Sequence, residues 1–448
     1  MLQEAYLMNV EGGASNSPAN LGTTGWAPPS WAEAPAYALV VDLLVTLAAV
    51  TLPWSLTATA ALMVCWSIAV IPTIDWDELI RSLTLPACAL PLALFAMADI
   101  GVLWSEGPWE AGLQAINPVS KLLLLPFLFY HFRRSERAVW VFIGFLVSSM
   151  ALMMLSWIAL ADPSLVPAGL PIGRDFGQRQ QFTLCALALA APAAAVYQRG
   201  QVRMAIGLAG ASLLFFAHDL VVGPARTTCI ATTILLLALA IRHFSRRLAI
   251  VLLASVAVTG GVAWAAAPLL SGPLVDIVVH RHISALNGGG PAERQADWRR
   301  SIASIAEAPL FGHGTGAIRP QSAVDAPGPR EMPGTARDPQ NQSLSVVLQW
   351  GLAGLVLLYA MWISHIRLVR GRDWIAWVGL AIVVQTFVGS LLSANLFDVN
   401  EGWIYVIGIG VVGGVALGRG NAADPLESPR SGLGRTTDDR HDGEATAA

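Results

Sequence analysis

Lysine is almost absent from this chain: Lys121 is the only one, and every other basic residue is Arg or His. Charge of either sign is scarce, at 13% of 448 residues, while 55% are hydrophobic. A soluble domain carries about 25% charged residues, so an ordinary globular domain is excluded. The net charge of −3 argues against a nucleic-acid partner. Cysteine is limited to Cys65, Cys88, Cys185 and Cys229, all within or beside apolar stretches and none at metal-ligand spacing. They read as small buried hydrophobes. Residues 1–35 hold no Lys or Arg, so the basic n-region of a signal peptide is missing. This Gly-, Ser- and Pro-rich stretch reads as a disordered tail.

What is present is a series of long apolar blocks. A helix needs about 20 residues to cross a hydrocarbon core, and twelve blocks approach that: 36–53, 55–73, 84–104, 117–131, 138–160, 181–197, 203–222, 224–241, 248–270, 343–364, 374–395 and 402–418. They lack the period-two alternation of barrel strands. The expected fold is therefore all-α: a polytopic transmembrane bundle of about twelve spans with a large, partly helical periplasmic loop. Spans 1–9 occupy 36–270, the loop 271–342 and spans 10–12 343–418, and 419–448 forms a second polar tail. An even count puts both tails on one side. If that side is the cytoplasm, Arg133, Arg134 and Arg137, then Arg199 and Arg203, then Arg242, Arg246 and Arg247, then Arg367, Arg370 and Arg372, then Arg419 and Arg430 all fall inside. That is the positive-inside pattern.

The opposite face carries Asp162–Gln180, with Arg174 and Arg179, and the long loop 271–342, with seven Arg. Within this loop Pro291–Ala308 reads as a helix. Pro291 suits a first turn, and Trp298, Ile302 and Ile305 fall on one apolar face. Read from residues alone, it is an amphipathic helix lying on the bilayer surface.

At the end of that loop runs QNQSLSVVLQWGLAG, from Gln340 to Gly354. It resembles the signature of the O-antigen ligase and polymerase family: His, then Asn, Ser or Gln, then nine residues, then Gly-x-x-Gly. Asn341, the gap, Gly351 and Gly354 fit, but Gln340 stands at the His position. Four further stretches resemble that family in order: DIGVLWSEGP (Asp99–Pro108), GRDFGQRQQFTLCALALAAP (Gly173–Pro192), VGPARTTCIATTILLLALA (Val222–Ala240) and ERQADWRRSIASIAEAPLFGHGTG (Glu293–Gly316). The resemblance covers roughly residues 40–418.

The resemblance implies a glycosyltransferase at the periplasmic face of the bacterial inner membrane. The donor would be a glycan on undecaprenyl diphosphate. The acceptor would be a hydroxyl of lipid A–core or of another lipid-linked glycan. Transfer would be inverting, with no metal or other cofactor, beneath a loop capping a cavity open to lipid. Arg226 and Arg294 match the family's diphosphate-binding Arg pair. Guanidinium suits that task because it stays charged and offers paired donors. Arg174, Arg179 and Arg337 are weaker substrate-binding candidates and read equally as solvated charge. Gln340 matches the residue that takes or positions the acceptor proton. A carboxamide orients a hydroxyl but accepts no proton, so another base is needed if one is used at all; His313, Asp338 and Asp398 are the candidates. The alternative is a non-catalytic or transport protein that binds lipid-linked glycan. Asn341 is placed to cap span 10. Gly351 and Gly354 read as a close-packing surface for a neighbouring span. Asp42, Asp99 and Lys121 are charges in or near spans that need partners, with Asp99–Lys121 the expected pair.

Overall fold

The apolar blocks fold as helices whose starts follow local chemistry. The protein is seen in a computed structural model that describes residues 29–165, 176–221, 233–234, 237, 291–319 and 336–423, apart from 33, 372 and 392. Helices α1 (Pro35–Thr51) and α4 (Pro86–Ile100) open on a proline, where the missing N–H costs nothing. Helix α2 (Leu56–Val70) starts at Ser55, whose hydroxyl accepts from Ala58 N–H. Helix α3 (Trp76–Ser82) starts at Asp75, which accepts from Asp77 and Glu78. Next come α5 (Trp109–Ser120), α6 (Leu124–Phe132), α7 (Ala138–Ala161), α8 (Phe176–Gln198) and α9 (Val202–Val221). The chain continues with α10 (Pro291–Glu307), α11 (Gln342–Leu368), α12 (Trp374–Ser390) and α13 (Val399–Ala423). A parallel bridge pairs β1 (Ile318–Arg319) with β2 (Ala336–Arg337).

Among the described residues, eight helical stretches are long and apolar enough to cross a membrane, and α1 and α12 are shorter apolar helices. These ten coincide with expected spans. The expected spans at 224–241 and 248–270 lie outside the described residues or nearly so, as do residues 1–28, 271–290 and 424–448. The fourth span differs from expectation. It begins at Trp109 rather than residue 117, and a single 3-10 turn at Lys121–Leu123 joins α5 to α6.

The centre of the bundle is aromatic. Trp66, Trp350, Trp377 and Tyr405 are its largest fully buried side chains. Apolar side chains also point outward, among them Val64, Ile68, Val147, Leu213 and Val356, where lipid replaces water as solvent. Cys65 shares that exposed surface and so departs from the expected burial; Cys88 and Cys185 are buried.

The two ends of the bundle differ. At one end, Asp42 on α1 is buried against His131 Nε2 at 2.7 Å, Ser135 Oγ at 2.8 Å and Arg137 Nη1 at 3.1 Å. Glu78 there pairs with Arg133 and Arg134. We call this the ionic end. The opposite end gathers the loops after α4, after α10, before α11 and between α12 and α13. We call it the loop end.

Candidate functional site at the loop end

Helix α11 is broken nine residues after its start, at Gly351. Its N-cap Asn341 accepts from Leu344 N–H at 3.0 Å and donates through Nδ2 to Leu391 O at 2.7 Å, so the expected capping role is what the structure shows. Gly351 then adopts φ 63°, ψ −162°. An intact helix would bond Leu352 N–H to Leu348 O and Ala353 N–H to Gln349 O. Both bonds are replaced by the loop that follows α10. Leu352 N–H donates to Pro309 O at 2.9 Å and Ala353 N–H to Leu310 O at 3.3 Å. The freed carbonyls of Leu348 and Gln349 accept from His313 N–H at 2.9 Å and Gly314 N–H at 2.8 Å. These four groups are all re-satisfied, as buried backbone requires.

This corrects the close-packing reading of Gly-x-x-Gly. A side chain at Gly351 would strike the backbone of Leu310, a contact with a loop rather than a span. Gly354 is crowded by Trp350 and Val346 of its own helix.

The same loop is stitched to the Trp-Ser segment after α4. Thr315 N–H donates to Gly101 O at 3.0 Å, and Glu106 N–H donates to His313 O at 3.0 Å. Thr315 Oγ1 donates to Ala98 O at 2.5 Å and accepts from Trp350 Nε1 at 2.8 Å. Gly316 N–H reaches Gln349 Oε1 at 3.0 Å. Three stretches far apart in sequence therefore form one junction.

Helix α10 docks on the residues entering α11. Trp298 Nε1 donates to Pro339 O at 2.9 Å, while Asp297 and Ser301 are buried and Ile302 is 56% exposed. The docked stripe is thus Asp297, Trp298 and Ser301, so that of the expected face of Trp298, Ile302 and Ile305 the Trp298 ring docks while Ile302 is left exposed. Arg294 lies in the first turn of α10.

Gln340 sits where α10, β2 and α11 converge. Its φ of 50° is the one positive φ among described non-glycine residues, a conformation retained only where surroundings impose it. Its N–H donates to Asp338 Oδ1 at 2.9 Å, and Ser345 Oγ approaches the same oxygen at 3.3 Å. Burial is the largest cause raising the Asp338 pKa above its ordinary 3.8. The nearby Asp297 carboxylate adds to the rise, and the hydrogen bonds from Gln340 and Ser345 only partly offset it.

His313 is buried, with Nε2 at 2.9 Å from Ser304 O and Nδ1 at 3.0 Å from Glu106 Oε2. Burial opposes its charged form, but the Ser304 carbonyl and Glu106 carboxylate outweigh it and hold the pKa above 6.5. Both ring nitrogens face acceptors, so His313 fastens the end of α10 to the Trp-Ser segment.

Asp398 is exposed at the start of α13, with Oδ1 accepting from Asn400 N–H at 2.9 Å. Its loop touches the Gln340 segment: Gln342 Oε1 accepts from Leu396 N–H at 3.1 Å, and the Trp350 and Phe397 rings lie 5.6 Å apart. The expected Asp99–Lys121 pair does not form. Asp99 is exposed, whereas Lys121 Nζ donates to Asp398 O at 2.5 Å beside buried Glu401. Arg226 and Arg174 lie outside the described residues. Arg179 is in the first turn of α8, and Arg337 is on β2.

One cluster was not singled out from sequence. Near the ends of α8 and α9, Thr183 Oγ1 donates to Asp219 Oδ2 at 2.5 Å, Gln181 Nε2 donates to Ser149 Oγ at 2.7 Å, and His218 Nε2 meets Ser156 Oγ at 2.9 Å. The signal was available: ionisable residues inside an apolar span demand partners.

Residues 210–359 match the family model described as O-antigen ligase. Over this third of the chain the protein is similar to the O-antigen ligase family. The matched segment runs from α9 through α10 and the inserted loop to beyond the break in α11. It contains Arg226, Arg294, His313, Gln340 and both glycines of the signature. Comparison with curated proteins finds no match. The protein is a multi-pass membrane protein, and the described part of the matched segment includes α10, the inserted loop and the break in α11.

Proposed function

We propose that this protein transfers a glycan from undecaprenyl diphosphate to an acceptor hydroxyl, of lipid A–core or of another glycan, at the periplasmic face of the inner membrane. The loop end would be periplasmic and both tails cytoplasmic. The observation that carries this reading is the docking of α10 onto the Gln340 segment through Asp297, Trp298 and Ser301. It brings α10 against the signature run, within a segment that matches the O-antigen ligase family model.

In this reading Arg294 and Arg226 hold the diphosphate and stabilise the charge that grows on it as it leaves. Gln340 accepts a hydrogen bond from, or donates one to, the incoming hydroxyl. The rigid junction behind it fixes that carboxamide, since misplacement of a positioning group by about 1 Å can cost about 100-fold in rate.

The test uses purified protein in lipid with an undecaprenyl-diphosphate-linked glycan and candidate acceptors, following release of undecaprenyl diphosphate. Acceptor-dependent release by the wild type is expected. Release only by Gln340→His would mean that the natural protein binds the donor without transferring it. Silence in both across all acceptors would refute the transferase reading.

A further inference from the structure

Transfer to a hydroxyl sheds a proton, and the carboxamide of Gln340 cannot take it. We propose that Asp338 is the proton acceptor of this site, with Gln340 orienting the hydroxyl beside it. This rests on the glycosyl-transfer reading above.

The geometry separates Asp338 from the other candidates. His313 has an oxygen acceptor against each ring nitrogen, Ser304 O and Glu106 Oε2, so it is arranged to hold protons rather than collect one. Asp398 uses Oδ1 to start α13 and lies in the knot with Glu401 and Lys121. Asp338 is half-buried and fixed. Its Oδ1 receives Gln340 N–H and faces Ser345 Oγ, while the following Pro339 carbonyl is clamped by Trp298. The carboxylate is therefore held two residues from the strained Gln340, beside the docked stripe of α10.

The charged surroundings favour that role. Asp297, buried on α10 and paired with Arg300, lies close enough to disfavour the Asp338 anion. The further charged residues of the elements packed there are Glu293, Arg294, Arg299 and Glu307 on α10, Arg337 on β2 and Arg319 on β1. A carboxylate made more basic by burial and a like charge is better matched to proton transfer near neutral pH.

In the step itself, the acceptor oxygen forms a bond to the anomeric carbon of the donor. The bond from that carbon to the diphosphate oxygen breaks, and its electron pair leaves on undecaprenyl diphosphate. The hydroxyl proton passes to Asp338 and then to water.

Asp338→Asn tests this, because an amide oxygen still accepts from Gln340 N–H and Ser345 while losing the basic site. With the undecaprenyl-diphosphate-linked glycan as donor, turnover is expected to fall at least about 100-fold, with donor binding retained. The wild type should lose rate as pH falls through the Asp338 pKa, and that acid limb should vanish in Asp338→Asn. Added formate should restore turnover in Asp338→Ala, which a purely structural role would not give. Asp338→Asn within about threefold of wild type, or with the acid limb intact, overturns the assignment of Asp338 alone. A wild type that releases no undecaprenyl diphosphate overturns the transferase reading and this inference with it.

Discussion

The ionic end and the loop end of this bundle are fastened by different forces. At the ionic end, side-chain charge does the joining: Asp42 with His131 and Arg137, Glu78 with Arg133 and Arg134, and Asp373 with Arg419. At the loop end, backbone bonds join the segments, with side chains such as Thr315 and His313 reinforcing them. Four main-chain bonds to the inserted loop take up the Leu352 and Ala353 N–H groups and the Leu348 and Gln349 carbonyls, and the loop from Pro309 to Gly316 is tied to both α11 and the segment after α4. Ion pairs tolerate sliding and are weakened by salt where exposed. Backbone bonds fix position and direction. In the transferase reading proposed above, the end that holds a reacting hydroxyl against a donor is the one tied by backbone bonds.

That difference can be broken from either side. The largest effect is expected from Gly351→Val, which forces a β-branched residue to positive φ and drives its side chain into Leu310. Strain of about 1–3 kcal/mol adds to loss of the inserted loop, so the variant should fail to give a monodisperse protein in detergent. A stable, active Gly351→Val would mean that the helix break is dispensable. Asp42→Ala is expected next, at about 3–5 kcal/mol, because it leaves Arg137 and His131 without their buried partner. The drop in thermal midpoint should be accompanied by an unchanged cleavage pattern in the loop after α10. Trp350→Phe removes one buried hydrogen bond to Thr315 and should cost about 1–2 kcal/mol, with turnover falling more than stability. Asp373→Ala breaks a half-exposed pair with Arg419 and should cost under about 1 kcal/mol.

Protonation sharpens the same contrast. The His313 pKa is raised in the folded protein relative to 6.5. Its contribution is therefore fully present below pH 6.5 and is lost as pH rises through the folded value. Thermal stability measured from about pH 6 to about pH 9 should decline more steeply in the wild type than in His313→Gln. Equal slopes would remove His313 as a clip between α10 and Glu106.

Much of the bundle was legible in the sequence, because crossing lipid demands long apolar runs and those runs are visible. Helix α10 was legible from Pro291 and its period, but its docked face was not. Asp297 and Ser301 are buried in the folded protein, and no local pattern announces that. Gly-x-x-Gly reads equally as a packing surface or a break. What decides it is the loop that carries Thr315, 35 positions before its partner Trp350. The partner of Lys121 was equally hidden, since Asp398 lies 277 positions away. Gln340 alone was conspicuous from the start, as the one departure from a pattern that otherwise fits.

The most direct measurement compares Arg294→Ala at the loop end with Arg419→Ala at the ionic end, each checked for normal thermal stability, by acceptor-dependent release of undecaprenyl diphosphate. If the loop end does the chemistry, Arg294→Ala should lower turnover by about 100-fold or more, while Arg419→Ala stays within about threefold of wild type. Equal turnover in the two variants, or a loss confined to Arg419→Ala, would contradict it.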